Sequence, residues 1–289
     1  MASFHCLTFL TDYGLEDGFV AVCHGVSSRI APNALIIDIT HLVPPGDIRR
    51  GAAVLAQTVP YFPPAVHVAV VDPGVGTARR AVAVAAGGSV FVGPDNGLLS
   101  WAVEAAGGAT AAVSLTNRAL WLDAVAVTFH GRDIFMPVAA HLAAGTASLA
   151  EAGEELDPDS LVVLPRPASR ARDGAAEGEV ISADRFGNVQ LSVTGADAAR
   201  AGIVPGALVA LAWRGRELTV PFGTTFGEVA PGELVGYTDS AGFVAIAVNG
   251  GDAARRLGLH PGARVTLSVT ELFVRTAFRF ARARDTMED

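Results

Sequence analysis

The order of strand-like and helix-like segments constrains this fold more than any other feature of the sequence. Up to about residue 165, short apolar runs alternate with segments whose apolar residues recur at helical spacing. Such alternation predicts a layered α/β domain over residues 1–165, with a central mixed or parallel sheet. The predicted strands are 6–10, 34–39, 66–71, 81–85 and 90–93, and the predicted helices are 17–30, 48–59, 98–106 and 134–144.

The predicted helices carry local signals for their ends and their faces. Asp47 precedes the second helix and is expected to cap it. Pro137 lies in the first turn of the last helix, where a missing N–H costs little. The apolar face of the first helix is expected to consist of Phe19, Val22, Val26 and Ile30.

The pattern changes after residue 165. Residues 166–177 include a proline, a serine and three arginines and are predicted to form a surface linker. Short strands separated by turn signals then predict a second, all-β, barrel-like domain over residues 178–275. The predicted strands are 178–183, 188–193, 207–212, 216–220, 234–237, 243–248 and 264–269. The tail 275–289 has no clear period and is expected to be a frayed terminus.

Composition excludes several classes of function. The net charge of −8 argues against nucleic acid as the main partner, because phosphate binding needs a basic face. The N-terminus lacks the basic start of a signal peptide, and no apolar run approaches the length of a membrane span. The two cysteines, Cys6 and Cys23, are expected to be buried thiols. We therefore expect a cytoplasmic protein with no membrane partner, and the alanine-rich composition favours a bacterial source.

A carboxylate and two guanidinium groups surround a glycine-rich turn. Asp72 follows a strand-like run that ends at Val71, and Pro73 and two glycines terminate that run. The end of a strand in an open α/β sheet is the usual place for ligand chemistry. Arg79 and Arg80 lie just beyond the turn, near enough for one of them to fold back towards Asp72. A buried ion pair that only clamps the loop is an equally weighted interpretation.

A second polar cluster, Thr128–Asp133, follows another apolar run and adds an imidazole. A lone histidine is more often structural than catalytic. Here Gly131 leaves backbone room for a ligand beside His130, which favours a functional role. We expect Arg132 and Asp133 to cap the helix that begins at Ile134.

Other candidate residues have two interpretations each. Asp12 follows the first strand and is expected either to accept hydrogen bonds from a ribose diol or neighbouring amides, or to form a local turn that caps the next helix. In the second half, the ring of Phe186 and the amide of Asn188 are suited to a base or an amino acid, although the segment could simply be a turn. Phe226 either forms an aromatic wall of a binding site or belongs to the hydrophobic core.

No cofactor motif is present. The seven histidines are scattered without metal-ligand spacing, so no metal site is expected. A phosphate-binding loop, a dinucleotide fingerprint and a nucleophile elbow are also absent. We therefore expect no cofactor.

Taken together, these motifs resemble one family, the S-adenosyl-L-methionine hydroxide adenosyltransferases. This family was formerly called DUF62 and is related to the adenosyl fluoride and chloride synthases. The resemblance runs in order from about residue 7 to residue 270. It rests on Leu10–Gly14, Val71–Thr77, Gly93–Gly97, Thr128–Asp133, Phe186–Asn188 and Ile246–Asn249.

The resemblance implies an activity and an assembly. The reaction would be hydrolysis of S-adenosyl-L-methionine to adenosine and L-methionine, by attack of water or hydroxide on C5′. The assembly would be a homotrimer whose active sites lie between neighbouring subunits. The alternatives are a halide-dependent adenosyl transferase, which would form 5′-chloroadenosine, and a non-catalytic protein that binds S-adenosylmethionine or adenosine.

The resemblance also implies roles for individual residues. Asp72, Arg79 and His130 match the triad that holds or activates the water. His130 and Gly131 stand where the fluoride-using relatives have Tyr-Ser, which disfavours halide chemistry. The remaining matches are to substrate-binding positions: Asp12, Phe129, Gly131, Asp184, Phe186, Asn188 and Phe226.

Overall fold

The computed structural model describes residues 3–272. The chain divides into two compact units, Met1–Arg166 and Pro167–Asp289. The predicted frayed tail, residues 275–289, lies outside the described residues.

The first unit is built on a mixed seven-stranded sheet with the order β2-β1-β3-β5-β4-β6-β7. The strands β2, β1, β3 and β5 are parallel, whereas β4, β6 and β7 join antiparallel. The strands are β1 (Cys6–Thr11), β2 (Leu35–Thr40), β3 (Val66–Val70), β4 (Ala81–Ala86), β5 (Ser89–Pro94), β6 (Ala111–Ser114) and β7 (Glu154–Leu156). The predicted mixed α/β sheet is therefore confirmed, while β6 and β7 were not predicted.

Four helices belong to this unit: α1 (Phe19–Ile30), α2 (Ile48–Thr58), α3 (Ser100–Ala105) and α4 (Met136–Ala144). The N-cap prediction for α2 is confirmed, because the Asp47 carboxylate accepts the Arg50 N–H at 2.9 Å. A π-helical turn, Gly131–Phe135, leads directly into α4. The helix predicted to begin at Ile134 therefore starts from a wider turn than expected.

The predicted apolar face of α1 is only partly right. Val26 is half-buried and packs on the core, but Phe19 and Val22 are 46% and 43% exposed, and the buried residues are Val20, Cys23 and Ser27. Both sets satisfy helical spacing, so periodicity alone did not distinguish the face that packs on this unit. In contrast, every residue of β1 and β3 is buried, as expected for strands covered on both faces.

The second unit is an antiparallel sheet with the order β12-β11-β15-β9-β10-β14-β13, and β8 pairs with β9. A backbone bridge between Phe222 and Gly236 brings the two end strands together, so the sheet is nearly a closed barrel. The strands are β8 (Arg170–Arg172), β9 (Ala175–Ala183), β10 (Val189–Thr194), β11 (Ala207–Trp213), β12 (Arg216–Pro221), β13 (Leu234–Thr238), β14 (Phe243–Val248) and β15 (Arg264–Leu272). The barrel-like prediction is confirmed.

Parts of the second unit differ from the sequence prediction. The predicted linker 166–177 contains β8 and the start of β9, so it is not a purely irregular connection. Two short helices, α5 (Gly195–Arg200) and α6 (Ala253–Leu257), interrupt the strands and were not predicted. Within residues 3–272, no helix is long and apolar enough to cross a membrane.

Candidate active site

Three loops of the first unit meet where parallel strands end. Asp12 follows β1, Gly46 lies in the loop after β2, and Asp72 lies two residues beyond β3. The strands β2 and β3 pair with opposite sides of β1, so the strand order reverses at β1. Such a reversal opens a crevice at the carboxyl ends of the strands. A pocket of about 340 Å³ lies there, lined by Asp12, Tyr13, Pro45, Gly46, Val70, Asp72, Pro73, Val75, Thr128, His130 and Gly131.

Asp72, Arg79 and His130 form one hydrogen-bonded chain in this pocket. Arg79 Nε donates to both oxygens of Asp72, at 2.9 and 3.0 Å, and Arg79 Nη2 donates to Asp72 Oδ2 as well. The same Nη2 lies 3.0 Å from His130 Nδ1. The Asp72 and Arg79 side chains are only 5% and 11% exposed, so the pair is shielded from solvent. The structure thus brings together the three residues predicted to be catalytic.

The contact with Arg79 determines which nitrogen of His130 carries a hydrogen. A guanidinium has donors and no acceptor, so His130 Nδ1 must accept through its lone pair. In a neutral imidazole the hydrogen is then on Nε2. Burial, and next the positive charge of Arg79, lower the pKa of His130 below its ordinary value of 6.5, which keeps the ring neutral.

Neighbouring groups hold Arg79 and the end of β3 in place. The Arg79 guanidinium lies 5.1 Å from the centroid of the fully buried Phe135 ring, a cation–π arrangement. Asn96, in the loop after β5, donates its side-chain N–H to the Val71 carbonyl at 2.9 Å. Both the guanidinium that pairs with Asp72 and the backbone just before Asp72 are therefore held in place.

Only one of the two consecutive arginines belongs to the site. Arg80 Nε donates to Asp95 Oδ2 at 2.8 Å, and Arg80 Nη1 donates to Ser160 Oγ at 3.1 Å. Asp95 also accepts the Val162 N–H at 2.8 Å. Arg80 thus ties the segment around residue 160 to the sheet, while Arg79 folds back to Asp72 as the sequence analysis expected of one of them.

The predicted capping role of Arg132 and Asp133 is wrong. Asp133 is fully buried and accepts Arg132 Nε at 2.6 Å and the Ala126 N–H at 2.8 Å. The turn that contains both residues is π-helical, and His130 precedes it without a side-chain cap. Asp133 therefore anchors the loop before His130. Single π turns of this kind occur frequently at functional sites.

Asp12 contacts a distant loop rather than its own. Its Oδ2 accepts the Gly46 N–H at 2.8 Å, 34 residues along the chain. This bond is not the local turn considered as the alternative for Asp12. A carboxylate has acceptor capacity for several donors, so Asp12 can also accept from hydroxyl groups in the pocket.

Tyr13 is a pocket residue that the sequence analysis missed. Its hydroxyl packs so closely on Gly131 that a Cβ at that glycine would lie 1.9 Å from the oxygen. Burial raises the pKa of Tyr13 well above its ordinary value, so the phenol stays protonated. Its position directly after Asp12 was the available sequence signal.

Two other candidates near His130 have defined surroundings. Gly131 lines the pocket and is the residue against which Tyr13 packs. Phe129 is not among the residues that line this pocket. Its ring makes edge-on contacts with Tyr13 and Phe19, at centroid distances of 5.6 and 5.4 Å, and so supports the wall from behind.

The loops that carry Arg79 and His130 touch through backbone. Gly76 has φ +79°, and a Cβ there would lie 2.9 Å from the Val127 carbonyl oxygen and 2.6 Å from a Val127 methyl group. Only glycine fits this approach without a shift of one loop.

The candidates of the second unit form a tight turn between β9 and β10. Asp184 Oδ1 accepts the N–H groups of Phe186 and Asn188 at 2.8 and 2.9 Å, and Asp184 Oδ2 accepts Asn188 Nδ2 at 2.8 Å. Gly187, at φ +82°, closes the turn. The Phe186 ring is 76% exposed. The turn interpretation therefore describes the local structure, and the exposed ring is free to contact a ligand.

Phe226 begins a short 3₁₀ turn, Phe226–Glu228, in the same unit. Its ring meets Tyr237 edge-on at 5.1 Å and is 43% exposed. It is therefore neither plain core nor fully exposed.

A second cavity of the first unit, of about 410 Å³, is larger and mostly apolar. It is lined by residues of β4, α3 and the segment 158–163, and it contains neither Asp72 nor His130. Size alone therefore does not identify the site. We assign the chemistry to the smaller pocket because it holds the buried carboxylate, guanidinium and imidazole.

Comparisons with known proteins connect both units to one family. The sequence profile of the SAM hydroxide adenosyltransferase N-terminal domain matches residues 7–153, and that of the C-terminal domain matches residues 178–266. A protein from Salinispora tropica named (R)-S-adenosyl-L-methionine hydrolase is 56% identical over 269 residues, which covers 93% of this chain and 99% of the relative.

More distant relatives extend the comparison. A Thermus thermophilus protein with the same name is 43% identical and covers 90% of this chain and 98% of its own. A fluorinase from an Actinoplanes species is 29% identical, with 91% and 97% coverage. A crystal structure of an uncharacterised conserved protein from Thermotoga maritima superposes with a TM-score of 0.86 at 38% identity, covering 91% of this chain and 99% of that one.

Proposed function

Because this chain belongs to the SAM hydroxide adenosyltransferase family, we propose that it hydrolyses S-adenosyl-L-methionine to adenosine and L-methionine. The observation that carries this proposal is the buried chain Asp72–Arg79–His130 in a pocket that also contains Asp12. The relatives named as hydrolases support it, since they match nearly the whole length of this chain. No cofactor is needed for the reaction.

The chemistry is a displacement at C5′ of the ribose. The oxygen of water or hydroxide forms a bond to C5′ while the C5′–S bond breaks, and the electron pair of that bond goes to the sulfur. The sulfonium becomes the neutral thioether of methionine, and one proton is released overall. Because the sulfonium is already a good leaving group, the protein must chiefly hold the oxygen in line with the C5′–S bond.

His130 and Arg79 are suited to hold that oxygen. With Nδ1 occupied by Arg79, the remaining N–H of His130, at Nε2, is the one that can donate to the attacking oxygen. The Arg79 charge favours hydroxide character next to it, and Asp72 keeps the guanidinium oriented. Arg79 is too basic to remove a proton itself.

The other contacts orient the substrate. Asp12 is proposed to accept hydrogen bonds from the ribose hydroxyls, with Gly131 lining the same pocket and Phe129 behind the wall that Tyr13 forms. Asp184, Phe186, Asn188 and Phe226 are proposed to hold the methionine and adenine ends. These roles are supported by the exposed rings and the ordered turn described above.

The decisive experiment identifies the product and the bond that forms. Purified protein is incubated with S-adenosylmethionine in ¹⁸O-labelled water, with and without chloride or fluoride, and the nucleosides are analysed by mass spectrometry. We expect adenosine that carries ¹⁸O at the 5′ position, whether or not halide is present. A 5′-haloadenosine would support the transferase alternative, and unchanged substrate would support a binding protein.

Two comparisons make this experiment specific. The matched control is Arg79→Gln protein purified in the same way, which excludes a contaminating hydrolase if it releases no adenosine. Both epimers at the sulfonium are tested separately, because the relatives' names specify the (R) form. We expect this chain to prefer that form.

We further propose that the working assembly is a homotrimer, as the resemblance implies. Apolar side chains are exposed on the side of the first unit formed by α1 and the edge strand β2. Phe19 is 46% exposed, Val22 is 43% exposed and Leu35 is 62% exposed. An open edge strand with apolar neighbours is typical of a surface that another chain covers. Analytical ultracentrifugation should give three times the mass of the chain.

A further inference from the structure

Three metal-ligating side chains converge outside the proposed active-site pocket. His24 belongs to α1, Asp38 to β2, and His41 follows the end of β2. One potential ligand atom from each lies within 4.8 Å of the other two. None of the three lines the pocket around Asp72.

The three side chains point at one position. Asp38 Oδ1 lies 2.8 Å from His24 Nε2 and 3.1 Å from His41 Nε2. On a tetrahedral zinc ion with bonds of about 2.1 Å, neighbouring ligand atoms are roughly 3.4 Å apart. Small outward movements of the two exposed side chains would therefore open a space that an ion fits.

A buried and poorly paired nitrogen of His41 faces this position. The His41 side chain is only 2% exposed. Its buried Nε2 lies 3.1 Å from Asp38 Oδ1 in poor alignment for a hydrogen bond, and the described residues offer it no better-aligned partner. A buried polar atom of this kind is costly unless something binds it.

Thr11 is placed to orient the same ring. Thr11 Oγ1 lies 2.8 Å from His41 Nδ1 and also accepts the Tyr13 N–H at 3.1 Å. A hydroxyl oxygen has two lone pairs, so it can accept Nδ1–H as well. Nε2 is then left with the lone pair that a metal ligand needs, and such support by a second group is usual for metal-bound histidines.

Packing holds the His41 imidazole before any ion binds. The ring of Phe9, which is fully buried, lies 4.9 Å from the His41 ring and 6.2 Å from the more exposed His24 ring. A ligand fixed in advance loses less freedom on binding, which favours affinity.

We propose that His24, Asp38 and His41 bind a divalent transition-metal ion of the zinc class. Two imidazole nitrogens and one carboxylate oxygen suit zinc and its neighbours, whereas magnesium and calcium prefer oxygen ligands alone. Three protein ligands leave a further coordination position for water or another donor. This proposal does not depend on the hydrolase activity.

The site would stabilise the first loop of the pocket. The His41 carbonyl accepts the Gly14 N–H at 2.8 Å, and Thr11 links His41 to Tyr13. An ion at His41 therefore adds stability to residues 11–14, which include Asp12. Zinc is expected to raise the unfolding temperature of the protein by mass action.

The test uses zinc chloride and tag-free protein from which metals have been removed with a chelator. Isothermal titration should give one zinc ion per chain, bound at least 10-fold more weakly by His24→Ala and by Asp38→Asn. Both changed side chains are partly exposed, so the variants should fold, and circular dichroism checks this. His260→Ala, which removes an exposed histidine of the second unit, is the matched control and should bind zinc like the unchanged protein.

A second readout separates this site from weak surface binding. Zinc should raise the unfolding temperature of the unchanged protein and of His260→Ala, but not of the other two variants. Cobalt(II) bound at the site should give a visible absorption band that is lost in the same two variants. Equal zinc affinity in the unchanged protein, His24→Ala and Asp38→Asn would overturn the proposal, as would the absence of any zinc binding.

Discussion

The contact with Arg79 determines what the free nitrogen of His130 can do. Because the guanidinium donates to Nδ1, the imidazole can present only an N–H at its other nitrogen. This makes His130 a donor towards the proposed attacking oxygen rather than a base. Asp72 acts on the reaction through Arg79, since three hydrogen bonds join the two side chains.

Removal of the imidazole should separate turnover from binding. We expect His130→Ala to lose most of its kcat, because the proposed nucleophile loses its donor, while adenosine affinity stays nearly unchanged. Product assays and calorimetry with adenosine measure the two quantities. Near-normal adenosine production by His130→Ala would remove His130 from the mechanism, and His260→Ala serves as the histidine control.

Low pH should inactivate the site by breaking the contact between Arg79 and His130. Burial and Arg79 lower the pKa of His130 below 6.5, so the ring is neutral above that pH. Protonation at Nδ1 would remove the acceptor for Arg79 and place two positive charges together. We expect kcat/KM to fall on acidification with a midpoint below pH 6.5. A profile with its acid midpoint above 6.5 would contradict this assignment.

The carboxylate of Asp12 should matter for binding rather than for the displacement itself. Loss of a charge-assisted hydrogen bond to the ribose is worth about 1.5–3 kcal/mol, which is about one to two decades in affinity. We expect Asp12→Ala to weaken adenosine and substrate binding together by this amount, as measured by calorimetry.

A conservative variant tests whether Asp12 acts only as a support. Asp12→Asn retains an oxygen that can accept the Gly46 N–H, so it should keep the loop contact and lose only part of the ribose interaction. Unchanged adenosine affinity in Asp12→Ala would mean that the residue only holds the two loops together.

Among the strands, β3 carries a buried histidine that makes the fold sensitive to acid. His67 is fully buried, shares a 2.8 Å hydrogen bond with Thr8 and stacks on Phe91 at 4.9 Å. Burial lowers its pKa from 6.5 to about 4. The unfolded chain therefore binds a proton at this histidine that the folded chain does not.

This difference predicts how stability changes with pH. A lowered pKa in the folded state means that stability is fully present above pH 6.5 and is lost as the pH falls towards 4. The contribution lost at this one group is about 3 kcal/mol. His67→Phe, which keeps a ring but cannot be protonated, should show a smaller loss of unfolding free energy between pH 6.5 and 4.

Denaturant unfolding at several pH values measures this effect. The comparison is between slopes with pH, because the loss of the Thr8 partner also shifts the absolute stability of His67→Phe. His260→Gln, a change at an exposed histidine, should keep the slope of the unchanged protein. Equal slopes for His67→Phe and the unchanged protein would show that His67 does not set the acid sensitivity.

Sequence patterns correctly predicted the long elements that are buried by packing within their own unit. The strands β1 and β3 and the helix α2 have strong apolar periodicity, a cap or clear breakers, and they occur where expected. In contrast, β6, β7 and β8 have only three or four residues, too few to show a period. The face of α1 was assigned correctly only in part, because exposed apolar residues such as Phe19 and Val22 can have the same spacing as buried ones.

The candidate site was predictable only in part. Asp72, Arg79 and His130 each follow an apolar run, so strand ends and breakers placed them together. The stacking of Phe135 on Arg79 depends on the π turn, whose i→i+5 hydrogen bonding leaves no recognised sequence signal. The group of His24, Asp38 and His41 joins a helix to a strand, and no spacing rule covers such a combination.

The division into two units separates the proposed roles along the chain. The residues proposed to handle water all precede residue 134, whereas Asp184, Phe186, Asn188 and Phe226 all belong to the second unit. A largely enclosed site protects a nucleoside from water, and a neighbouring chain can provide such enclosure without a mobile lid. The trimer proposal therefore predicts that these two sets of residues meet between neighbouring chains.

Mixing two inactive variants tests this claim. If the sets meet across a subunit boundary, Asp72→Asn and Asn188→Ala chains should restore activity when they form hybrid trimers, because some sites then carry neither change. Native mass spectrometry confirms the exchange of subunits, and each variant alone is the control. No recovery despite proven exchange would mean that each site is built within one chain.

The close approach of Gly76 to Val127 has a consequence for motion. Since the Val127 carbonyl lies against Gly76, we expect the segments that carry Arg79 and His130 to open together. Their amide protons should share one opening event rather than exchange with solvent separately. Such coupled opening would admit a nucleoside or release a product while the guanidinium and the imidazole move together, so the groups proposed to react would stay aligned from one turnover to the next.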